Sequence, residues 1–201
     1  MTATVLDALA ARQGSPVARR ILAAAAPLLY AQGLRAVSAD RVIAAAGTTK
    51  VTFYRHFPTK DALVVAYLEG WHALEREGWD ALVAAVPDPR EALVRLGEAL
   101  REQACAPGFR GCAFVNAGAE FADGDHPVRR VVDRHRAWWR EAVGDLLRRA
   151  GAGDPAAAAD ALLVVRDGVL VAGDADGADA AGAAGALAWR AVLAVALPSP
   201  P

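Results

Sequence analysis

The chain has 201 residues and a formal net charge of −1, with 55% hydrophobic and 22% charged residues. Its two cysteines, Cys105 and Cys112, exclude a disulfide-rich scaffold, and the apolar segment 21–31 is far below the ~20 residues that span a bilayer. The first residues also lack the basic and apolar regions of a signal peptide, so we expect a soluble cytoplasmic protein with no membrane partner.

The N-terminal part of the chain predicts an arm followed by a helix. Residues 1–15 show no sustained periodicity, so we expect a flexible arm there. Ser15 can cap a helix and the proline after it suits the first turn, which predicts a helix over 16–32 with Gly33 as its terminator. Pro27 lies inside this helix and removes a backbone hydrogen bond, so a kink is expected there.

Two short helices follow, and a tight turn separates them. Ser38 caps the first of them and Gly47 ends it, while the second runs over about 49–56. A proline and a threonine then break the chain and cap a fourth helix, which extends from Lys60 to the mid-80s. Two short helices joined by a glycine turn are typical of a helix-turn-helix motif.

The remainder of the chain predicts further helices. Ala and Leu supply much of its hydrophobicity, and they favour helices because they lose little side-chain freedom there. Apolar periodicity predicts helices over about 90–104, 127–150, 155–172 and 178–196, with a mostly apolar segment at 109–121. The predicted fold class is therefore all-α, with about nine helices.

The second of the two short helices is more polar than folding requires. Val51 and Phe53 are its clear apolar members, and its other residues are hydroxyl-bearing, basic or aromatic. A polyanionic surface explains this, because N-terminal residues can meet base edges while hydroxyls and cations hold phosphates. The charge distribution agrees, since the first 60 residues carry eight basic and two acidic side chains and the rest carry 14 and 21.

An aromatic-rich element closes this helix. It reads Phe53-Tyr54-Arg55-His56-Phe57, and Pro58-Thr59-Lys60 then opens the next helix. Over roughly residues 19–68 the chain resembles the TetR family of regulators. The resemblance implies a three-helix DNA-binding domain, here 16–62, and a helical domain that binds a small molecule and dimerises, here 63–197.

The resemblance also implies which residues contact DNA. Tyr54, His56 and Lys60 would contact the phosphate backbone, and Ser38 would do so in addition to capping its helix. Val51 replaces the small residue usual at its position, so it is expected to alter base preference through contact with thymine methyl groups. The predicted DNA-binding residues are Ser38, Thr49, Lys50, Val51, Thr52, Tyr54, Arg55, His56 and Lys60.

Some of these aromatic and charged residues have a purely structural alternative. The spacing of Phe53 and Phe57 places both on the core side of the helix, so we expect them to be buried. Tyr54 would be a core aromatic and Arg55 a solvated surface charge in the same alternative. For Tyr54, His56 and Lys60, the family resemblance favours a contact with DNA over this structural alternative.

The second domain supplies candidates for a ligand site. A sensor cavity needs mostly apolar walls with a few polar anchors. The alternative is that each tryptophan fills the core and each polar group faces solvent. The candidate ligand-binding residues are Trp71, Phe114, Asn116, Glu120, His135, Trp138 and Trp139.

The last two helices predict a dimer interface. Two such helices from each subunit would form a four-helix bundle, which the family resemblance also implies. Their many Ala and Gly residues allow close approach, although burial of the apolar stripes inside the monomer is an alternative. The predicted interface residues are Leu162, Val165 and Val169 on one helix and Leu187, Ala188, Ala191 and Val195 on the other.

No metal or cofactor site is expected. The spacings of the four histidines match no common set of metal ligands. We expect the two cysteines to be small buried apolar residues, as is usual inside cells. A redox switch formed by the pair is the alternative.

These patterns predict a sequence-specific DNA-binding transcriptional regulator that is not an enzyme. We expect a homodimeric repressor that a small molecule releases from its double-stranded DNA operator, while activation remains open. One rival is an all-helical enzyme with His135 and Glu120 as an acid/base pair, but nothing in the sequence orients that pair. A second rival is a helical interaction module that never meets DNA.

Overall fold

The computed structural model describes residues 14–175 and 178–198. Within these ranges the chain forms nine helices and no strand, which confirms the all-α fold class. None of the helices in this part of the chain is long and apolar enough to cross a membrane. The helices are α1 Pro16–Gln32, α2 Ala39–Ala45, α3 Lys50–His56, α4 Lys60–Ala85, α5 Pro89–Ala104, α6 Ala113–Glu120, α7 Pro127–Arg149, α8 Pro155–Ala175 and α9 Ala178–Ala196.

Side-chain caps fix where the first helices begin. The Ser15 hydroxyl accepts a hydrogen bond from the amide of Ala18, and Gly33 ends α1 with a φ of +95°. Both confirm the predicted bounds of that helix. Helix α1 continues through Pro27, whose side chain is exposed, and the kink expected there stays a prediction. Of the predicted N-terminal arm, residues 1–13 lie outside the described residues.

The chain divides into two compact units. The first consists of the residues up to Arg76 with Ala113–Asp133, and the second of Glu77–Cys112 with the residues from Arg134 onward. The first unit thus includes α6, although the sequence places residues 113–120 in the predicted C-terminal domain. The division of function at residues 62 and 63 stays a prediction.

The core of the first unit holds the short helices against α1. Ile21 and Leu22 of α1 are fully buried, and helix α1 contacts both α2 and α3. Phe53 and Phe57 are buried as predicted, and their rings lie 6.0 Å apart. Burial of these large apolar side chains, at about 25 cal/mol per Å² of apolar surface, is what fixes the orientation of α3.

Small residues allow close helix packing in the second unit. Helix α9 packs against α8 and α5, and α5 packs against α8. A Cβ atom at Gly185 of α9 would overlap a methyl carbon of Val169, so the glycine allows the two helices to approach closely. Trp189 covers Gly97 of α5, and its indole N–H donates to the carbonyl oxygen of Leu93 at 2.9 Å.

Candidate nucleic-acid interface

A helix-turn-helix is built by two caps and one glycine. The Ser38 hydroxyl accepts a hydrogen bond from the amide of Arg41 at 3.2 Å and so begins α2. Gly47 adopts a φ of +55° in the turn, a region that favours glycine. The side chain of Thr49 then caps α3. The Ser38 hydroxyl hydrogen can still be donated to a phosphate, as the sequence predicts.

One face of α3 is buried and the opposite face is exposed. Phe53 is completely buried against the core, whereas the side chain of Val51 is 80% exposed. Because Val51 is a large apolar residue in solvent on a polar helix, it is free to contact an apolar group of a partner. Around it the exposed residues of this helix are Lys50, Tyr54 and Arg55, and His56 is half-buried.

Thr49 and Thr52 form a hydroxyl pair at the start of α3. The Thr49 oxygen accepts from the amide of Thr52 at 3.2 Å, and its hydroxyl donates to the Thr52 hydroxyl oxygen at 2.9 Å. The hydroxyl of Thr49 is thereby used within the protein. The hydroxyl hydrogen of Thr52 can be donated outward, so of the two threonines Thr52 is better placed to contact a base or phosphate.

Lys50 lies in a weak ion pair. Its ammonium is 3.8 Å from the carboxylate of Asp40, and both side chains are largely exposed. Exposed pairs of this kind contribute about 0–1 kcal/mol. A phosphate can therefore replace Asp40 as the partner of Lys50 at little cost.

Lys60 contacts the turn between α1 and α2. Its ammonium donates a hydrogen bond to the carbonyl oxygen of Arg35 at 2.7 Å. Partial burial lowers the pKa of Lys60 below its ordinary value of 10.5, although the carboxylates of Asp61 and Glu120 oppose the shift. A phosphate contact by Lys60 stays a prediction, and it would have to share or replace the bond to Arg35.

Glu120 lies at the same turn. Its carboxylate accepts a hydrogen bond from the amide of Leu34 at 2.9 Å and another from the amide of Arg35 at 2.6 Å. Glu120 is also one of the residues that the sequence predicts as a ligand anchor. That role stays a prediction, and it would require this carboxylate to give up backbone partners.

The loop after α6 adds contacts that sequence reasoning missed. The imidazole of His126 lies 3.3 Å from the carboxylate of Asp61, at the start of α4. The ring of Phe121 contacts both the ring of His126, with centroids 4.7 Å apart, and the guanidinium of Arg35, 5.0 Å from its centroid. The contacts of His126 with Asp61 and of Phe121 with Arg35 join residues separated by more than 60 positions in the sequence, so no local pattern predicts them.

The candidate ligand residues fall into two groups. In the first unit, Trp71 packs between Tyr30 and Tyr67 with ring centroids 6.2 and 6.4 Å away. The indole nitrogen of Trp71 is buried, and no hydrogen-bond partner for it is found among residues 14–175 and 178–198. Phe114 is buried near the start of α6, and Asn116 of the same helix is exposed.

The second group, His135, Trp138 and Trp139, lies on the part of α7 that belongs to the second unit. Trp138 packs against Trp79 with ring centroids 6.4 Å apart, and against the buried His135 with centroids 5.5 Å apart. Trp139 is buried, and the guanidinium of the buried Arg166 lies 5.8 Å from its ring centroid. Ligand contacts by either group stay predictions.

No metal site is found in residues 14–175 and 178–198, where no three His, Cys, Asp or Glu side chains are grouped so as to hold an ion. Cys105 and Cys112, both in the described part of the chain, form no disulfide with each other. Cys112 is buried as the sequence favoured, and its sulfur lies 3.8 Å from the guanidinium of Arg166. Cys105 is half-buried.

The predicted dimer residues divide by exposure. Leu162 and Val169 of α8 are buried within the subunit, whereas Leu187 and Val195 of α9 are 65% and 90% exposed. Two shallow apolar grooves of about 390 and 510 Å³ run between α8 and α9. Their lining includes the remaining candidates Val165, Ala188 and Ala191.

Two sequence families match the chain. Residues 21–67 match the bacterial regulatory proteins of the tetR family, and residues 89–169 match the tetracycline repressor-like C-terminal domain. A comparison with curated proteins gave no match.

Solved structures resemble about nine-tenths of the chain. The TetR-family transcriptional regulator SCO4454 from Streptomyces coelicolor is 35% identical over 90% of this chain and 96% of its own, with a TM-score of 0.87. A TetR-type protein from Streptomyces avermitilis is 31% identical over 90% and 98% of the two chains, with a TM-score of 0.75. A transcriptional regulator from Saccharomonospora viridis, solved in complex with choline, shares the fold at 21% identity over 88% and 94%, with a TM-score of 0.75.

Proposed function

The chain belongs to the TetR family of bacterial transcriptional regulators, and from this premise we propose that it is a homodimeric repressor that a small molecule releases from its operator. The single observation that carries the DNA-binding part of this proposal is the exposed face of α3. Val51 and Tyr54 are exposed there beside two basic residues, while Phe53 fixes the opposite face in the core.

We assign base contacts to the N-terminal half of α3 and phosphate contacts to the residues around it. Lys50, Val51 and Thr52 would enter the major groove, where Val51 favours a thymine methyl group. Tyr54, Arg55 and His56 would hold phosphates, together with Ser38 and Lys60 at the starts of α2 and α4. Phosphate contacts fix position on the duplex, and base contacts select the sequence.

Dimerisation would use the exposed apolar face of α9 and the grooves beside α8. Leu187 and Val195 are large apolar side chains in solvent, and a second copy of the chain would cover them. A two-fold dimer presents two recognition helices, which need a separation of about 34–36 Å to reach successive major grooves.

Release would follow from a ligand that binds beside Trp71 in the first unit and displaces α4. The buried indole N–H of Trp71 supports this, because an unsatisfied buried donor costs about 1–3 kcal/mol and a ligand acceptor would satisfy it. The regulator from Saccharomonospora viridis that shares this fold was solved in complex with choline. The aromatic rings around Trp71 would likewise suit a cationic or apolar ligand in this chain. A coupling of ~1–3 kcal/mol would change operator affinity about 5–150-fold.

The test is a fluorescence-anisotropy titration against the DNA that flanks the protein's own gene. It is run at two salt concentrations beside a scrambled duplex. We expect tight, salt-sensitive binding that prefers the flanking DNA, since phosphate contacts release counterions. Absence of binding to either duplex at low salt would contradict a DNA-binding function.

Release is tested with the complex once it is formed. Choline and a panel of apolar aromatic compounds are added to the labelled duplex complex, and the anisotropy is followed. A compound that lowers anisotropy should also raise the Tm of the free protein, because it binds the folded state. A compound that raises the Tm and tightens DNA binding would instead make the protein an activator or a co-repressed regulator.

A further inference from the structure

The C-terminus of α6 is joined to the DNA-binding region by one carboxylate. Glu120, the last residue of α6, bridges the successive amides of Leu34 and Arg35 across 86 and 85 positions of sequence. Hydrogen bonds from backbone N–H groups to a carboxylate are charge-assisted and about twice as strong as neutral ones. We call Glu120 with the amides of Leu34 and Arg35 the carboxylate bridge.

The turn is shaped to receive this carboxylate. Gly33 has φ +95° and ψ 152°, a conformation that is essentially restricted to glycine. A Cβ atom at this position would lie 3.3 Å from the Oε1 atom of Glu120. Gly33 therefore both turns the chain so that the next two amides face the carboxylate and leaves room for the carboxylate to approach.

The backbone of Arg35 connects the bridge to a predicted phosphate contact. Its amide donates to Glu120, and its carbonyl oxygen accepts from the ammonium of Lys60. Displacement of Glu120 would therefore shift the residue that holds Lys60 at the start of α4. A second connection runs beside it, because His126 of the loop after α6 pairs with Asp61.

We propose that Glu120 couples the position of α6 to DNA binding through Arg35 and Lys60. This inference rests on the proposed function and deepens it. Helix α6 carries two ligand candidates, Phe114 and Asn116, so a ligand that moves α6 also moves the turn between α1 and α2. Glu120 itself touches no DNA in this scheme and is a positioning residue.

Thermodynamic linkage makes the coupling measurable without an identified ligand. If α6 alters the DNA-binding region through Glu120, then DNA must alter α6 through the same residue. Amide hydrogen exchange reports such changes segment by segment. DNA is then the probe, and residues 113–120 of α6 provide the signal.

The experiment compares hydrogen exchange of the full chain, free and saturated with a ~30-bp duplex from the flanking DNA at low salt. The variants are Glu120→Ala and Glu120→Gln, and Glu102→Ala removes the same charge from an exposed position of α5. We expect DNA to change exchange in residues 113–120 at least about threefold in the wild type and in Glu102→Ala, and not in Glu120→Ala. In the free Glu120→Ala protein, the amides of Leu34 and Arg35 should exchange about tenfold faster.

Glu120→Gln is a second variant that tests the coupling if Glu120→Ala does not fold. Its amide oxygen can accept one of the two backbone hydrogen bonds, but its NH₂ group has no acceptor role, so partial loss of the DNA-linked change is expected. An equal DNA-linked change in the wild type and in the Glu120 variants would overturn the coupling alone. Failure of the wild type to bind the duplex would overturn the proposed function and the coupling together.

Discussion

The ammonium of Lys60 lies 2.7 Å from the carbonyl oxygen of Arg35, so the first residue of α4 is bound to the turn that follows α1. The Lys60 ammonium is thus positioned before any DNA arrives, and its other two N–H groups can be donated to a phosphate while the bond to Arg35 is kept. Pre-positioning lowers the entropy lost when a long lysine side chain is fixed in a complex.

Replacement of Lys60 by alanine should weaken binding to every DNA sequence by a similar factor. One lost phosphate contact should reduce the slope of log K against log salt by about 0.9. The measurement is an anisotropy titration at several salt concentrations, with Arg101→Ala on α5 as a control that removes one exposed positive charge. A loss of affinity confined to one operator position would contradict the phosphate assignment.

The lowered pKa of Lys60 predicts a pH dependence of DNA binding. Burial disfavours its charged form in the free protein, whereas a phosphate would favour it, so binding should take up protons as the pH approaches the lowered pKa. Affinity should then fall as the pH rises through the alkaline range below 10.5, the ordinary value. The arginine of Lys60→Arg keeps its charge in this pH range, so this variant should lose less affinity for DNA than the wild type. Identical pH profiles of the two proteins would contradict a role of Lys60 in the pH dependence.

The lowered pKa of Lys60 also makes the free energy of unfolding depend on pH. The folded state binds Lys60's proton more weakly than the unfolded chain, so this group contributes less stability below its lowered pKa than above 10.5. Partial exposure keeps this contribution small.

The two threonines at the start of α3 should behave differently when each is replaced by alanine. Thr49→Ala removes the cap and should lower the free energy of unfolding by about 1 kcal/mol, with weaker DNA binding to all sequences. Thr52→Ala leaves the cap's acceptor in place and should cost less stability, while it reduces discrimination between operator variants. Chemical denaturation and titration against single-base operator variants distinguish the two; an equal loss of stability would contradict the assignment.

Local signals explain how much of the fold the sequence predicted. The bounds of α1, of α3 and of the long helices follow from caps, prolines and apolar periodicity, which act within a few residues. The burial of Phe53 and Phe57 follows from their spacing on one helix face. The exposure of α3's other face is then a consequence of the same periodicity.

Long-range contacts explain what the sequence did not predict. Glu120 looked like a polar residue on an apolar segment, which favours a ligand anchor, whereas its partners are amides 85 and 86 positions away. The pairing of His126 with Asp61 is equally distant. Every residue except proline has a backbone amide, so the sequence does not show which amides bind a carboxylate. Gly33 was the one sequence feature that indicated an unusual backbone conformation at this turn.

Gly33→Ala should destabilise the fold. The φ of +95° and ψ of 152° cost a non-glycine residue about 1–3 kcal/mol, and the new methyl group would also press on Glu120. We expect the Tm to fall by about 2–4 °C per kcal/mol. Gly78→Ala is the matched control, because Gly78 lies in α4 with open space around it and alanine should raise stability there by about 0.5–1 kcal/mol. A Tm that is unchanged in Gly33→Ala would contradict the strained conformation.

Leu187→Asp should convert the proposed dimer to a monomer and weaken operator binding. The side chain is 65% exposed on α9, so a charge there costs little in the monomer but would be desolvated and unpaired in a covered interface. Val94→Asp on α5 is the control, since Val94 is also an exposed apolar residue, at 46%, and its helix lies outside the proposed interface.

Light scattering after size exclusion measures the mass of each variant, and an operator titration measures its affinity. We expect Leu187→Asp alone to elute with the mass of one chain, and to bind a full operator much as it binds a single half-site. The reason is that a monomer presents one recognition helix and gains nothing from the second half-site, whereas a dimer gains the effective concentration of a linked pair. A dimeric Leu187→Asp with unchanged affinity would place the interface elsewhere, and a monomeric variant with full operator affinity would show that DNA, not α9, brings the two copies together.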